Sequence, residues 1–291
     1  MQPTRCFSPS RRRPDQSPNS TSFPKFWHTG SVRSAESQPQ QCRRFQTASW
    51  RWHVCESHAS PEFLRRLDAP HEMLKPPAQP VERVPPRTGA ELVRLTVPES
   101  PSRPLFVKHY QPTPFWVSVK NMFRPSRARR AFENGLCLQR LGFRTAQPVA
   151  FGEHRRCFWL REAFFICEEV AQAVTFHHCF GTVSDPGQRR LLLRTLARQM
   201  AALHNANFSH GDPNGKNFMV SNSDFHNLVL IDLDALRPQR NLTLRAAVRD
   251  LRNLFRRSTL PERANLRFAI EYARARSPRL SARKVVEAVG S

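Results

Sequence analysis

The sequence predicts an α+β chain of two unequal lobes: a small antiparallel sheet carrying one helix, then a larger helical half. Three observations point there. Strand-like apolar runs occupy residues from about 90 to 170, whereas from Pro186 onward apolar residues recur at helical spacing. Inside the helical half, a polar loop, His210-Gly-Asp-Pro-Asn-Gly-Lys-Asn217, precedes two short apolar runs and the tetrad Ile231-Asp-Leu-Asp234.

The elements follow in order. Residues 1–58 are rich in Ser, Pro, Gln and Arg, with Arg11-Arg12-Arg13 near the start. Such a stretch buries too little apolar area to offset its chain entropy, so it reads as a disordered basic tail. Residues 59–87 read as a short helix at Pro61–Leu67 and an extended proline-rich connector. Residues 88–170 form the first lobe. There Glu91–Val97 and Pro104–Tyr110 are expected to pair as a hairpin across Pro98–Ser102. Arg127–Leu141 carries Phe132, Leu136 and Leu141 near one helical stripe, with Gly142 as its C-terminal cap. Strands are expected at Pro148–Phe151, Cys157–Leu160 and Phe164–Val170. Residues 171–291 form the second lobe. Ser184-Asp-Pro186 starts a helix in which Leu192, Leu196, Met200 and Leu203 share a face. Phe218–Val220 and Leu228–Ile231 flank a polar turn and read as a hairpin, and helices dominate from Leu242.

Composition narrows the class. The net charge is +23, and only six of the 46 basic residues are lysine. Guanidinium forks match phosphate oxygens in pairs and never deprotonate, so the partner is expected to be polyanionic: nucleic acid, an anionic membrane face or a phosphorylated glycolipid. Aromatic residues are not interleaved with basic ones on a recognisable platform, which argues against nucleic acid. The seven cysteines include no CxxC pair, so neither a structural metal nor a disulfide framework is expected, and the compartment reads as reducing. No run approaches the ~18 apolar residues of a spanning helix.

The chemistry concentrates in four residues. Phosphoryl transfer from a nucleotide needs a carboxylate at the acceptor hydroxyl, hard oxygens for Mg²⁺ and a cation on the phosphates. Asp212 and Asn217 lie five apart in one loop, and hairpin pairing brings Asn217 near Asp232, as two ligands of one metal require. Lys108 sits in the apolar strand Phe106-Val107-Lys108, where a lysine needs a partner or a phosphate. Glu133 on the following helix is the expected partner, with Glu162, Glu168 and Glu169 as competitors. Glu168–Val170 is positioned as a lobe connector offering backbone groups to adenine. No glycine-rich phosphate loop is evident: only Gly89 precedes the first strand of the hairpin.

HGDPNGKN with IDLDALR, preceded by FVKHY and SRARRAFENGLCLQRLGFRTAQP, resembles the bacterial lipopolysaccharide core kinases, the Kdo and heptose kinases of the protein-kinase-like superfamily. The likeness spans roughly residues 60–275 and includes Asp250-Leu-Arg-Asn-Leu-Phe-Arg-Arg-Ser258. The resemblance implies a bilobal protein-kinase-like fold using ATP and Mg²⁺. It implies Asp212 as the catalytic aspartate and His210 as a brace of its loop. Asn217 and Asp232 would bind Mg²⁺, Lys108 would contact the α- and β-phosphates, and Glu133 would hold Lys108. The acceptor would be a sugar hydroxyl of lipopolysaccharide or a lipid A–core precursor, met at the cytoplasmic face of the inner membrane by peripheral contact with its anionic surface. Asn214, two residues after Asp212, resembles the Kdo-kinase pattern. The HGD opening is shared with small-molecule phosphotransferases, so a protein or small-molecule kinase remains an alternative, as does a pseudokinase or basic binding module. Pro213 and Leu233 depart from the residues usual at their positions.

Overall fold

The computed structural model describes residues 40–75, 79–82, 90–96, 103–111, 124–156, 158–221, 224–257, 260–277 and 281–290. The tail before residue 40, Gly89, the Pro98–Ser102 turn and Cys157 lie outside the described residues.

One seven-stranded antiparallel sheet forms the first lobe. Its strands are β1 (Cys42–Gln46), β2 (Trp50–Cys55), β3 (Gln79–Glu82), β4 (Ala90–Leu95), β5 (Leu105–Tyr110), β6 (Pro148–Arg156) and β7 (Trp159–Glu168), in the order β1-β2-β6-β7-β5-β4-β3. The expected β4–β5 hairpin is present, with Val93 opposite Val107. Three expectations need correction. The stretch 42–58 is not tail: β1 and β2 join the sheet, because Trp50, Trp52 and Val54 alternate with outward residues and bury their side chains. The connector is partly structured, with a 3-10 turn at Pro70–Leu74 and β3 paired to β4. The three strands expected between 148 and 170 are two longer ones, since the register runs from Arg156↔Trp159 to Pro148↔Cys167.

Each face of the sheet has its own cover. Helix α1 (Pro61–Arg66), capped by the Ser60 hydroxyl, and the Pro70–Leu74 turn lay Phe63, Leu67 and Met73 over Trp50, Trp52, Val107, Phe164 and Ile166. Helix α2 (Arg127–Arg140), capped by Ser126, lays Ala128, Phe132 and Leu136 over Cys55, Tyr110, Phe151 and Ala163 on the other face. Gly135 lets α2 approach β6 closely: a Cβ there would stand 2.7 Å from Pro148 Cγ. Gly142, at φ +82°, ends the helix as its sequence position predicts.

The second lobe is built on α4 (Pro186–Asn205), preceded by α3 (Phe176–Thr182) and followed by α5 (Leu244–Arg256), α6 (Glu262–Ala275) and α7 (Ala282–Gly290). Leu192, Leu196, Met200 and Leu203 of α4 face Leu251, Leu254, Phe268 and Tyr272 in one core. Across this lobe's front lie β8 (Ala173–Thr175), β10 (Phe218–Ser221) and β11 (Leu228–Leu230) as one small sheet, and β9 (Phe208–Ser209) with β12 (Arg237–Pro238) as another. The β10–β11 hairpin pairs Phe218 with Leu230, which sets the loop before β10 beside the turn after β11. No described helix is long and apolar enough to cross a membrane.

Candidate active site

The 210–217 loop is held from beneath by one buried carboxylate. Asp250 of α5 is fully buried and accepts hydrogen bonds from the His210 amide (2.6 Å), the Ser209 hydroxyl (3.0 Å), the Gly211 amide (3.1 Å) and His204 Nε2 (3.3 Å). Tyr272 lies 2.7 Å from His204 Nδ1. A neutral imidazole serves both partners, donating from Nε2 and accepting at Nδ1. Burial holds the His204 pKa below its usual value, against the pull of Asp250. Burial alone would raise the Asp250 pKa, but the bonds from His204, the His210 amide and Ser209 carry it down.

Two details explain the His-Gly-Asp opening. Gly211 has φ +79°, and a Cβ there would meet the Ala235 carbonyl oxygen at 2.5 Å, so only glycine fits. The His210 ring is fully buried against Phe218, and neither ring nitrogen finds a partner among the described residues. His210 thus supports the loop through its amide and its packing, away from the exposed rim.

Above this base lie the charged groups. Asn217 Nδ2 donates to the Asp212 carbonyl (3.0 Å), which commits the amide's nitrogen end and leaves Oδ1 as the end able to meet a cation. The Ile231 amide donates to the Asn217 carbonyl (3.0 Å), extending the hairpin so that Asp232 follows directly. Asp232 takes a left-handed conformation, φ 56° and ψ 56°, a region that aspartate tolerates better than most residues. Its carboxylate pairs with Lys108 Nζ at 2.6 Å. Asp212 is half exposed and pairs with Arg257, at the C-terminal end of α5.

The expected Lys108–Glu133 pair is not formed. Glu133 bonds instead to Arg129 Nε, one turn earlier on α2, at 2.8 Å. The face of α2 that meets the second lobe carries Arg127 and Asn134. Arg127 Nε bonds buried Asp234 (2.7 Å), which also accepts from Tyr110 (3.2 Å), while Asn134 Nδ2 donates to the Leu233 (2.8 Å) and Leu236 (3.0 Å) carbonyls. The polar groups of helix α2 are therefore fastened to the turn after Asp232, while its apolar face packs on Tyr110 of the lysine strand.

The connector between lobes is pinned by two arginines and a histidine. Glu168 accepts from His58 (2.9 Å) and Arg103 (3.4 Å), and Arg94 grips Glu169 with two nitrogens. The Glu168 and Glu169 amides donate to the Gln147 and Pro104 carbonyls, whereas among the described residues the Val170 amide makes no such backbone bond.

A second cluster lies at the far end of the first lobe. His71 Nε2 and His109 Nε2 stand 2.6 and 2.9 Å from the same Glu162 oxygen. These are hydrogen-bond lengths; two ligands of a tetrahedral zinc stand about 3.3 Å apart.

The model of the lipopolysaccharide kinase (Kdo/WaaP) family matches residues 117–275, more than half of the chain. The chain belongs to this family. Its members are kinases, so the protein is a phosphotransferase that uses ATP, with a sugar hydroxyl as the acceptor group. Among solved structures, WaaP in complex with acyl carrier protein is similar over 72% of this chain and 81% of that one, at TM-score 0.52 and 23% identity. A divergent kinase lacking the glycine-rich loop, which regulates membrane ultrastructure of the Toxoplasma parasitophorous vacuole, aligns over 80% of this chain and 84% of that one, at TM-score 0.37 and 14% identity. No curated protein matches.

The fold brings the sequence candidates Asn217, Asp232 and Lys108 together beside the Asp212 carbonyl, but the groups that support them were not singled out from sequence. In the sequence Asp250 stands out only as the first residue of the Asp250–Ser258 stretch. The signal available was a charged residue on the same stripe as Ala247, Leu251 and Leu254, a place where a carboxylate survives only with partners. Arg257 belongs to the same stretch, but its pairing with Asp212, 45 residues away, comes from the fold and not from local pattern.

Proposed function

We propose that this kinase transfers the γ-phosphoryl group of ATP to a hydroxyl of Kdo, with heptose as the other candidate, in the lipopolysaccharide inner core. The observation that supports the reading is the proximity of Asp212, Asn217, Asp232 and Lys108: Asn217 bonds the Asp212 carbonyl, the hairpin sets Asp232 beside Asn217, and Lys108 pairs with Asp232. Asp212 takes the proton of the acceptor hydroxyl. The Asn217 amide oxygen and the Asp232 carboxylate are hard donors suited to Mg²⁺, and Asp232 already faces a cation, Lys108, at 2.6 Å. Bound Mg²⁺ supplies charge neutralisation on the phosphates. Lys108 exchanges the Asp232 carboxylate for a phosphate oxygen, a short move for a flexible side chain. The Val170 amide is the connector donor for adenine. Glu133, which bonds Arg129, has no nucleotide role in this reading.

Kdo is favoured by the pairing of Arg257 with Asp212. A guanidinium beside the carboxylate that meets the acceptor suits an acceptor carrying its own carboxylate. Kdo carries one, and heptose does not. The arginine excess suits an anionic glycolipid presented on the anionic cytoplasmic leaflet of the inner membrane, with the protein peripheral to it.

The test is transfer of label from γ-labelled ATP, with Mg²⁺, to Kdo-lipid A and to a heptosylated core, with the phosphorylated sugar located by mass spectrometry. Label on Kdo supports the proposal. Label on heptose alone overturns the Kdo choice, and label on protein but never lipid overturns the whole reading. Arg257→Ala is expected to raise KM for the Kdo acceptor about tenfold, the loss of one charge-assisted contact, with KM for ATP unchanged.

A further inference from the structure

The β1–β2 hairpin holds two cysteines in a geometry made for bond formation. Cys42 and Cys55 are directly opposite in the register, with their sulfurs 3.4 Å apart. The neighbouring pair, Gln41 and Glu56, exchanges a backbone hydrogen bond, from the Glu56 amide to the Gln41 carbonyl at 2.9 Å. Hydrogen-bonded and non-hydrogen-bonded pairs alternate along an antiparallel ladder, so Cys42 and Cys55 form a non-hydrogen-bonded pair. Such pairs stand about 4.5 Å apart at Cα, within the range a disulfide spans. Closing the sulfurs to about 2.05 Å needs rotation of two side chains and little movement of backbone.

The two thiols are unlike. Cys55 is fully buried under α2, and its sulfur lies 3.2 Å from the Pro148 carbonyl. Cys42 is partly exposed on the edge strand. The hydrogen bond from Cys55 lowers the Cys42 pKa, and nearby Arg140 lowers it further against partial burial. The same contact and burial push the Cys55 thiol up. Cys42 is the nucleophile of the pair and Cys55 its resolving partner.

We propose that Cys42 and Cys55 are an oxidative modification site, converted by a peroxide to a cross-strand disulfide. The Cys42 thiolate attacks one peroxide oxygen, the O–O bond breaks, and the departing hydroxide takes a proton to become water, leaving Cys42 as a sulfenic acid. The Cys55 sulfur then attacks the Cys42 sulfur, the S–O bond breaks, and the leaving hydroxide carries off the Cys55 proton as a second water. Two thiols lose two electrons, and one peroxide gains them. The product ties the sheet's edge strand to β2, whose Cys55 end packs beneath α2. The site does not depend on the acceptor of the kinase.

The experiment treats the full chain with hydrogen peroxide, alkylates the remaining thiols, and maps peptides by mass spectrometry. The expected product is a peptide pair joined through Cys42 and Cys55, reversed by dithiothreitol, with a melting temperature raised by roughly 5 °C. In Cys55→Ser the sulfenic acid of Cys42 accumulates and is trapped by dimedone; in Cys42→Ser, Cys55 stays reduced. The serine hydroxyl retains a donor for the Pro148 carbonyl, and circular dichroism checks the fold. The proposal is overturned if both thiols of the wild-type protein stay alkylatable while other cysteines oxidise. It is also overturned if Cys55 oxidises as fast in Cys42→Ser as Cys42 does in the wild type.

Discussion

The floor of the candidate site and its rim obey different physics. On the floor, Asp250 is fully buried and accepts four hydrogen bonds, three of them from consecutive residues 209–211. On the rim, Asp212 with Arg257 and Lys108 with Asp232 are ion pairs in contact with water. A buried carboxylate whose partners are all present fixes a backbone, because breaking any one bond strands a polar group in apolar surroundings. A solvated ion pair contributes about 0–1 kcal/mol and exchanges partners readily. Support is therefore rigid, and the charged groups of the rim, to which the proposed function assigns nucleotide, metal and acceptor, stay adjustable.

That contrast breaks first at Asp250. Asp250→Ala is expected to cost about 3–5 kcal/mol, the penalty for opening a buried charged network, and it leaves the His210 and Gly211 amides unpaired. This is a large share of a stability of about 5–15 kcal/mol, so the urea midpoint falls steeply and activity falls with it. Asp212→Ala is expected to do the reverse: kcat drops about a thousandfold while the melting temperature stays within ~2 °C, because only a solvated pair is lost. A stable, inactive Asp250→Ala or an unfolded Asp212→Ala would invert the assignment of floor and rim.

How much of this could be read from sequence follows the same line. The pairing of the 210–217 loop with Asp232 was legible because hairpin register depends on spacing along the chain, and Phe218↔Leu230 lies where the apolar runs put it. Helices α2 and α4 were legible from periodicity, from Gly142 at the end of α2 and from the Ser184-Asp-Pro186 start of α4. The hairpin β1–β2 was hidden by composition: Trp50-Arg-Trp-His-Val54 alternates as a strand should, but it sits among Ser, Gln and Arg. Lys108–Asp232 and Arg127–Asp234 join residues more than 100 apart in sequence, and charge alone does not choose among several acidic candidates.

A smaller effect comes with pH. Burial lowers the pKa values of His109, His204 and His210 from their usual 6.5. Below that value the unfolded chain binds protons that the folded chain refuses, so stability falls as pH drops from 6.5 toward the folded values, by at most about 1.4 kcal/mol per pH unit for each histidine. For Asp250 and Glu162, burial raises the pKa but the bonds from the histidines outweigh it, so both end below their usual 3.8 and 4.5. Their contribution is present above those values and is lost only as pH falls through the lower folded ones. Melting between pH 7 and 5 thus reports chiefly these histidines together with His53, whose pKa burial also lowers. His210→Phe, which removes a buried ring with no recorded partner, is expected to flatten the slope; an unchanged slope would remove His210 from the floor's account.

The smallest expected effect tests whether the rim needs a helical anchor for its lysine. Glu133 bonds Arg129 in an exposed (i, i+4) pair, worth about 0.3–0.5 kcal/mol. Glu133→Gln should therefore leave the melting temperature and KM for ATP nearly unchanged, within about twofold. The same helix is already fastened to the Asp232 turn by Arg127 and Asn134, so its position does not rest on a lysine contact. If Glu133→Gln instead raised KM for ATP tenfold, Lys108 would have to leave Asp232 for Glu133 during the cycle. The rim would then have two cation arrangements, one with Lys108 on Asp232 and one with Lys108 on the helix.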